Sequence, residues 1–268
     1  MTQRRPATET SASVGRARAL ARRSVREKTG TFLVEGPQGA REALAFGDVV
    51  ELFVTTGAQE RYPDLLDSAQ DVDCRIWDVD DDVFAQLSDT VTPQGIAAIA
   101  RKPVASLAGV AAVEPTLVAI LVEAQDPGNV GTVIRIAAAA GAQAVVLTTG
   151  SVDPFNPKVV RSTVGAIFHI PIVTGVDFAE SAEVLGAAGL KTIATSGYAA
   201  SRLFDAEVEA MLADPTAWVF GNEARGLPEQ VVADCDLALA VPIFGTVESL
   251  NLATAAAVCL YSSARQQR

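Results

Sequence analysis

At 268 residues, 49% hydrophobic and 20% charged, the chain holds material for two ordinary domains and too much apolar surface to be disordered throughout. Its net charge of −11 excludes a protein that is basic all over, and its longest apolar runs, such as 136–140 and 252–260, fall short of the roughly 20 residues that span a bilayer. The first 30 residues lack the apolar core of a secretory signal, and three scattered cysteines, Cys74, Cys235 and Cys259, predict buried free thiols in a reducing compartment.

The charge is unevenly spread. Residues 1–30 hold eight basic side chains (Arg4, Arg5, Arg16, Arg18, Arg22, Arg23, Arg26 and Lys28) against Glu9 and Glu27, leaving an acidic remainder. A basic arm on an acidic body supplies local phosphate contacts, with a solvated tail as the alternative, and charge alone does not choose between them. Residues 1–14, rich in Thr, Ser and Ala without a hydrophobic period, read as a disordered basic tail. From Val14 to Lys28, basic residues punctuate Ala, Leu and Val at helical spacing, which predicts one basic helix.

Residues 15–101 read as a small α/β domain. Strands are predicted over 31–35, 49–55, 75–79 and 95–100, with helices from the Gly36-Pro37 turn to Phe46, over 62–69 and over 81–87. Residues 102–116, small and unpatterned, read as a linker to a second α/β series over 117–268. There the nearly all-apolar run 117–123 predicts a strand of a parallel sheet covered on both faces. A helix over about 130–140, a strand over 144–148, a polar loop over 150–157 and a short helix carrying Lys158 and Arg161 follow. Further strands are predicted over 168–173, 191–194, 218–221 and 237–242. The last helix, 249–265, is apolar on nearly every face between Leu250 and Tyr261, which predicts burial.

Neither a dinucleotide fingerprint nor a P-loop occurs, and no His, Cys or Asp cluster has metal-ligand spacing. Glycines gather instead at three predicted strand ends, where open parallel sheets bind ligands. The first cluster runs from Glu123 through Pro127-Gly128-Asn129 to Arg135, with Asn129 placed to cap the helix. Arg135, in an Ala/Ile/Val run, reads by itself as a solvated or salt-bridged helix residue. The second cluster is Gly221-Asn-Glu223-Ala-Arg225-Gly226, which turn geometry alone would also explain. The third is Gly245-Thr-Val-Glu248-Ser249-Leu-Asn251, where Ser249 alone would be an ordinary N-cap. His169, the one histidine, sits in a strand-like segment and reads as a core side chain rather than a general base.

In this order and spacing, the segments resemble the SpoU/TrmH group of the SPOUT superfamily of RNA 2′-O-ribose methyltransferases, over residues 117–268. The resemblance rests on Asn129 to Arg135, on Gly221-x-Glu223-x-x-Gly226 and on Ser249-Leu-Asn251, with Asn156-Pro-Lys158-Val-Val-Arg161-Ser162 and Gly165-Ala166 between them. The stretch Arg26-x-x-x-Gly30-Thr-Phe-Leu-Val-Glu35-Gly36-Pro37 is similar to the opening of the substrate-binding domain of rRNA-modifying members.

The resemblance implies a C-terminal parallel-sheet domain with a deep trefoil knot, preceded by a small RNA-binding domain, in a cytoplasmic homodimer formed through the C-terminal domain. It implies S-adenosylmethionine as cofactor, lined by backbone at Thr195, Ser196, Gly197, Phe220, Gly221, Pro242, Ile243, Ser249 and Leu252. Arg135 takes the leading role at the 2′-hydroxyl. Because a guanidinium stays protonated, Arg135 gripping the adjacent phosphate, while phosphate or water takes the proton, remains open. Asn129 would position Arg135 or the ribose, Glu223 would orient its neighbours, and Ser249 and Asn251 would hold the loops and substrate. Lys158 and Arg161, with Arg22, Arg23 and Arg26 of the basic arm, are candidate RNA contacts. No metal is implied. The separate N-terminal domain points to large-subunit rRNA, with a tRNA enzyme of the same family and a catalytically silent RNA-binding homologue as alternatives.

Overall fold

The computed structural model describes residues 4–103 and 105–268. In chain order the elements are β1 (Arg4–Pro6), α1 (Ala12–Ala19), α2 (Arg23–Thr29), β2 (Thr31–Glu35), α3 (Pro37–Phe46), β3 (Val49–Val54), α4 (Thr56–Arg61), α5 (Pro63–Asp71), β4 (Arg75–Asp78), α6 (Asp81–Ala85) and β5 (Ile96–Arg101). Then come α7 (Leu107–Ala111), β6 (Leu117–Leu121), α8 (Pro127–Ala140), β7 (Ala144–Thr148), α9 (Pro157–Thr163), a 3-10 turn (Ala166–Phe168) and β8 (Ile172–Val176). The chain closes with α10 (Phe178–Ala187), β9 (Lys191–Thr195), β10 (Ser201–Arg202), α11 (Ala206–Met211), β11 (Thr216–Phe220), α12 (Glu229–Asp234), β12 (Leu237–Ala240) and α13 (Leu252–Gln266). It divides into two compact units, Met1–Pro103 with Asp153–His169, and Val104–Val152 with Ile170–Arg268.

The first unit is built on a mixed sheet in the order β1-β4-β3-β5-β2, with β5 antiparallel to both of its neighbours. Val14, Ala17 and Leu20 of the α1 segment pack on Leu33, Phe53, Phe84 and Ile99 of this unit. Several expectations change here. Instead of lying in a disordered tail, Arg4–Pro6 pairs in parallel with Ile76–Asp78, and Ala7 N–H donates to the Asp78 carbonyl at 2.8 Å. The open edge of β4 gives this segment the backbone partners its composition does not advertise. Residues 1–3 of the expected tail lie outside the described residues.

The expected single basic helix is two. Arg22 adopts an extended conformation between α1 and α2. The carbonyls of Leu20 and Ala21 at the break both accept from Arg26 Nη1, at 2.8 Å each, so a side chain takes over acceptors that helix amides would otherwise use.

Asp153–His169 belongs with the first unit because its aromatics complete that core: Phe155 and Phe168 lie 5.0 and 5.8 Å, centroid to centroid, from buried Phe32. The strand predicted over 168–173 is displaced accordingly. Val164 and Gly165, at φ +52° and +90°, turn the chain into the 3-10 turn, and pairing with β7 begins only at Ile172. His169 is not a core residue. It is exposed, with Nε2 2.7 Å from Glu42 Oε2 and its ring centroid 4.4 Å from that of Phe46.

The second unit carries a seven-stranded sheet in the order β10-β12-β9-β11-β6-β7-β8, parallel throughout. Strands β6, β7 and β11 are buried along their whole length, as their unbroken apolar sequences require. The expected linker is partly core: Ser106 caps α7 by accepting from Gly109 N–H, and Leu107 and Val110 are buried in this unit, while Val104 lies outside the described residues. Helix α13 buries Ala253, Ala256, Leu260, Ser263 and Ala264 at helical spacing, and Trp218 Nε1 donates to Ser263 Oγ at 2.9 Å. Its burial is one-sided, since Thr254 and Tyr261 are exposed. Cys74 and Cys259 are buried free thiols, but Cys235 is only half-buried. Burial pushes the Cys74 and Cys235 thiols up to about 11 and Cys259 higher still. Among the described residues no helix is long and apolar enough to cross a membrane, and no three His, Cys, Asp or Glu side chains gather as they would around a metal ion.

Candidate active site

In an all-parallel sheet every strand points its carboxyl end to the same edge. Here β12, β9, β11 and β6 are consecutive neighbours, so the segments following these four strands emerge side by side. The order of connection reverses between β11 and β6, which is where open α/β sheets place ligands. All three glycine-rich clusters follow strands of this group.

Beyond β6, Glu123 sits at φ +49°, a left-handed conformation unusual for a residue with a Cβ. Its carbonyl accepts from Asn222 Nδ2 at 2.9 Å and its carboxylate from Arg225 at 3.1 Å, fastening the β6 loop to the β11 loop. Helix α8 begins at Pro127, and its cap is Asp126, whose Oδ1 accepts from Asn129 N–H at 2.8 Å. Asn129 is therefore not the cap expected from sequence, and its side chain reaches sideways.

That side chain is the middle of a chain of polar contacts. Asn251 Nδ2 donates to Asn129 Oδ1 at 2.9 Å, and Asn129 Nδ2 donates to Glu223 Oε1 at 3.4 Å. Glu223 also accepts from the backbone N–H of Gln125 at 3.3 Å and of Asp126 at 3.2 Å. Asn251 caps α13 through Oδ1, at 2.9 Å from Ala253 N. Three segments far apart in sequence thus meet through Asn129, Glu223 and Asn251. The Glu223 loop is closed by paired backbone hydrogen bonds between Asn222 and Gly226. Only glycine fits at 221, because a Cβ there would overlap the backbone of Gly226 and Leu227.

Two predicted catalytic residues stand apart from this network. Ser249 is exposed with no hydrogen bond among the described residues, so Asn251 rather than Ser249 caps the helix. Arg135 is exposed on α8, six residues and about 9 Å along the helix axis from Asn129, and no hydrogen bond or ion pair holds it among the described residues.

The predicted cofactor-lining residues follow three adjacent strands. Thr195 ends β9 and donates from Oγ1 to the Val219 carbonyl at 3.0 Å. Ser196 N–H is spent on the Leu239 carbonyl, and Gly197 is exposed. Phe220 and Gly221 are buried at the end of β11, whereas Pro242, Ile243 and Leu252 are half-buried. Among the described residues the backbone of 241–250 makes no hydrogen bond, so its N–H and C=O groups are free to be read by a ligand.

Of the predicted RNA contacts, Arg22, Arg23 and Lys158 are exposed, with Arg23 paired to Glu27 at 2.7 Å. Arg161 is half-buried and bound to Glu35 at 3.2 Å. Arg26 is a correction. It is 2% exposed, its Nε bonds Asp153 Oδ2 at 2.8 Å, and its Nη1 holds two carbonyls, so it is a structural clamp rather than an RNA contact. Sequence reasoning passed over Glu123, Asn222 and Arg225 as loop fasteners. Their only signal was position beside the glycine clusters.

Comparison with known proteins matches residues 116–261 to the SpoU rRNA Methylase family and residues 12–98 to the MRM3-like substrate binding domain. The chain is 37% identical to the Bacillus subtilis 23S rRNA (guanosine(2553)-2′-O)-methyltransferase RlmP over 88% of this chain and 89% of that one. Among solved structures it is similar to the AdoMet-bound rRNA methyltransferase from Sinorhizobium meliloti, at TM-score 0.84 and 26% identity, covering 98% of both chains. It is also similar to the SpoU methyltransferase AviRb from Streptomyces viridochromogenes, at TM-score 0.82 and 26% identity, over 96% of this chain and 98% of that one.

Proposed function

The chain belongs to the SpoU rRNA methylase family, and from that premise we propose that it moves a methyl group from S-adenosylmethionine to a ribose 2′-hydroxyl of 23S rRNA in the cytoplasm. The observation that carries this reading is the meeting of Asn129, Glu223 and Asn251, from the segments that follow the parallel strands β6, β11 and β12. The relatives' names supply the substrate, since RlmP is a 23S rRNA 2′-O-methyltransferase.

The residues at the strand ends fit the cofactor. It is assigned to backbone at Thr195–Gly197, Phe220–Gly221, Pro242–Ile243 and the approach to α13 at Ser249 and Leu252. The backbone of 241–250, unbonded among the described residues, offers donors and acceptors without charge, suited to an adenine edge and to the two ends of a methionine. When bound, the cofactor supplies an electrophilic methyl group on a sulfonium. A neutral lining does not compete with that positive charge.

Among the chain's own residues, Glu223 holds the two backbone amides at the start of the α8 loop and orients Asn129, which in turn steadies Asn251. The interlock sets the floor on which the ribose is aligned, and alignment is itself a large part of such a displacement. Arg135, unpaired among the described residues and permanently charged, is assigned to the phosphate beside the target ribose, where it stabilises charge developing on the 2′-oxygen. Arg22, Arg23 and Lys158 of the first unit are assigned to other RNA phosphates.

We further propose a homodimer through the second unit and a knotted C-terminal segment. Tyr261 on α13 is half exposed, while Tyr198 and Phe244 in the loops are almost fully so, apolar surface that a second copy would cover. The test is incubation with methyl-labelled cofactor and 23S rRNA, wild type beside Arg135→Ala. Label in an alkali-resistant dinucleotide that vanishes with the variant supports the reading. Absence of label together with absence of cofactor binding overturns it.

A further inference from the structure

The first unit contains a cavity of about 220 Å³ beside the N-terminus of α3 and along α9. Its walls include Val34, Val160 and Val164, and its polar lining includes Glu35, Gln94 and Arg161. Three valines beside the polar side chains of Glu35, Gln38, Gln94 and Arg161 give the apolar wall and placed polar groups that a small ligand group needs, and the volume falls below the roughly 300–1,000 Å³ of pockets for whole small molecules. Glycine keeps it shaped: a Cβ at Gly39 would stand 2.8 Å from Val34 Cγ1, and one at Gly36 would stand 3.3 Å from Gln94 Oε1.

The charge of the occupant follows from Glu35. Its carboxylate is buried and accepts from Ser88 Oγ, from Thr90 Oγ1 at 2.9 Å and from Arg161 Nη1 at 3.2 Å. A buried carboxylate repels an anion, and its pairing with Arg161 leaves the lining neutral, so a phosphate is disfavoured and a neutral polar group is favoured. Gln94 has an exposed side-chain amide with no hydrogen bond among the described residues, and Arg161 offers N–H groups besides the one on Glu35. An amide with adjacent donor and acceptor is matched by the edge of a nucleobase. Val164, a β-branched residue at φ +52° and 41% exposed, is held in a costly conformation at the pocket wall. Further along the same face of α3, past Gln38 and Glu42, Phe46 is 63% exposed beside His169. Flat exposed aromatics are platforms on which unpaired bases stack.

We infer that this cavity receives one unpaired nucleobase of the RNA substrate, read by Gln94 and Arg161, while Phe46 stacks a base near it. The inference rests on the rRNA reading above and adds an accessory subsite remote in function from methyl transfer.

The test uses the full chain and fluorescently labelled hairpins of 23S rRNA whose loop nucleotides are made abasic one at a time. RNA affinity is read by anisotropy and methyl transfer by label in parallel. Gln94→Ala and Phe46→Ala are expected each to weaken RNA binding about tenfold, the scale of one base contact or one stack. Unfolding midpoint and cofactor affinity serve as controls on the fold. One abasic position should cost wild type the same factor and cost Gln94→Ala nothing more. Unchanged affinity in both variants, or no abasic position whose effect disappears in Gln94→Ala, overturns the subsite. Binding that responds as expected without methyl transfer by wild type would leave the subsite standing and sink the enzymatic reading instead. Loss of all RNA binding by wild type would sink both.

Discussion

Two arginines, one in each unit, exchange the places their sequence surroundings suggest. Arg26 lies in the most basic stretch of the chain, and Arg135 lies among alanines, isoleucines and valines. In the structure Arg26 is buried against Asp153 and two carbonyls, whereas Arg135 is exposed and unpaired among the described residues. The same inversion holds more widely in the first unit. Arg4, Arg16 and Arg161 are also engaged, with Asp78, Glu51 and Glu35. A count of basic residues thus overstates the charge available to a polyanion, because carboxylates distant in sequence return to meet them. An arginine the fold leaves without a partner is the stronger candidate for chemistry.

The sharpest way to break this comparison is Arg26→Ala. Removing it strands the buried Asp153 carboxylate and the carbonyls of Leu20 and Ala21, and a broken buried pair costs about 3–5 kcal/mol, to be read from the shift of the urea midpoint. A midpoint within experimental error of wild type would return Arg26 to the surface. Arg135→Ala should do the reverse. Methyl transfer falls on the order of 100- to 1,000-fold, the scale of losing one preorganised charge donor. Stability should stay within about 0.5 kcal/mol, as for exposed positions generally.

Gly221→Ala probes the floor of the proposed site. The added methyl meets the Gly226–Leu227 backbone, so the loop must shift at a cost of about 1–3 kcal/mol. Cofactor affinity measured by calorimetry should drop with it, and undiminished affinity would detach Gly221 from the pocket. The smallest effect is in the thiols. Cys74 and Cys235 are pushed from 9.0 to about 11 by burial, so the folded state holds their protons more tightly than the unfolded chain does. Their contribution is complete below pH 9 and is lost as pH rises through about 11. Thiol labelling at pH 8 should accordingly be slow in the native protein and fast in urea.

Much of the second unit was legible because its strands carry apolar runs ending in glycine-rich clusters, as in Leu117–Leu121 and in Ala217–Phe220, where the expected strand over 218–221 lies. The short helices were less so. Helices α10 and α11 pass without notice in the sequence because α10 is diluted by alanines and a glycine and α11 is only six residues long, although Asp177 marks the start of α10 by accepting from Glu180 N–H. The cap of α8 was misread by three positions, since Asp126 and Asn129 are both good capping residues and only the backbone conformation distinguishes them. His169 looked apolar by its neighbours, yet Glu42 and Phe46, more than 120 residues earlier, hold it at the surface.

The sequence by itself determined the fold class, the family and the three segments that carry the candidate chemistry. These rest on local periodicity and on spacing along the chain, both written in the order of residues. The tertiary structure alone decided which unit Asp153–His169 joins, that Arg26 is spent while Arg135 is unpaired among the described residues, and that Asn129, Glu223 and Asn251 touch. Those outcomes depend on contacts between residues as far as 127 positions apart, such as Arg26 with Asp153, and no local pattern encodes which distant partner a side chain will meet.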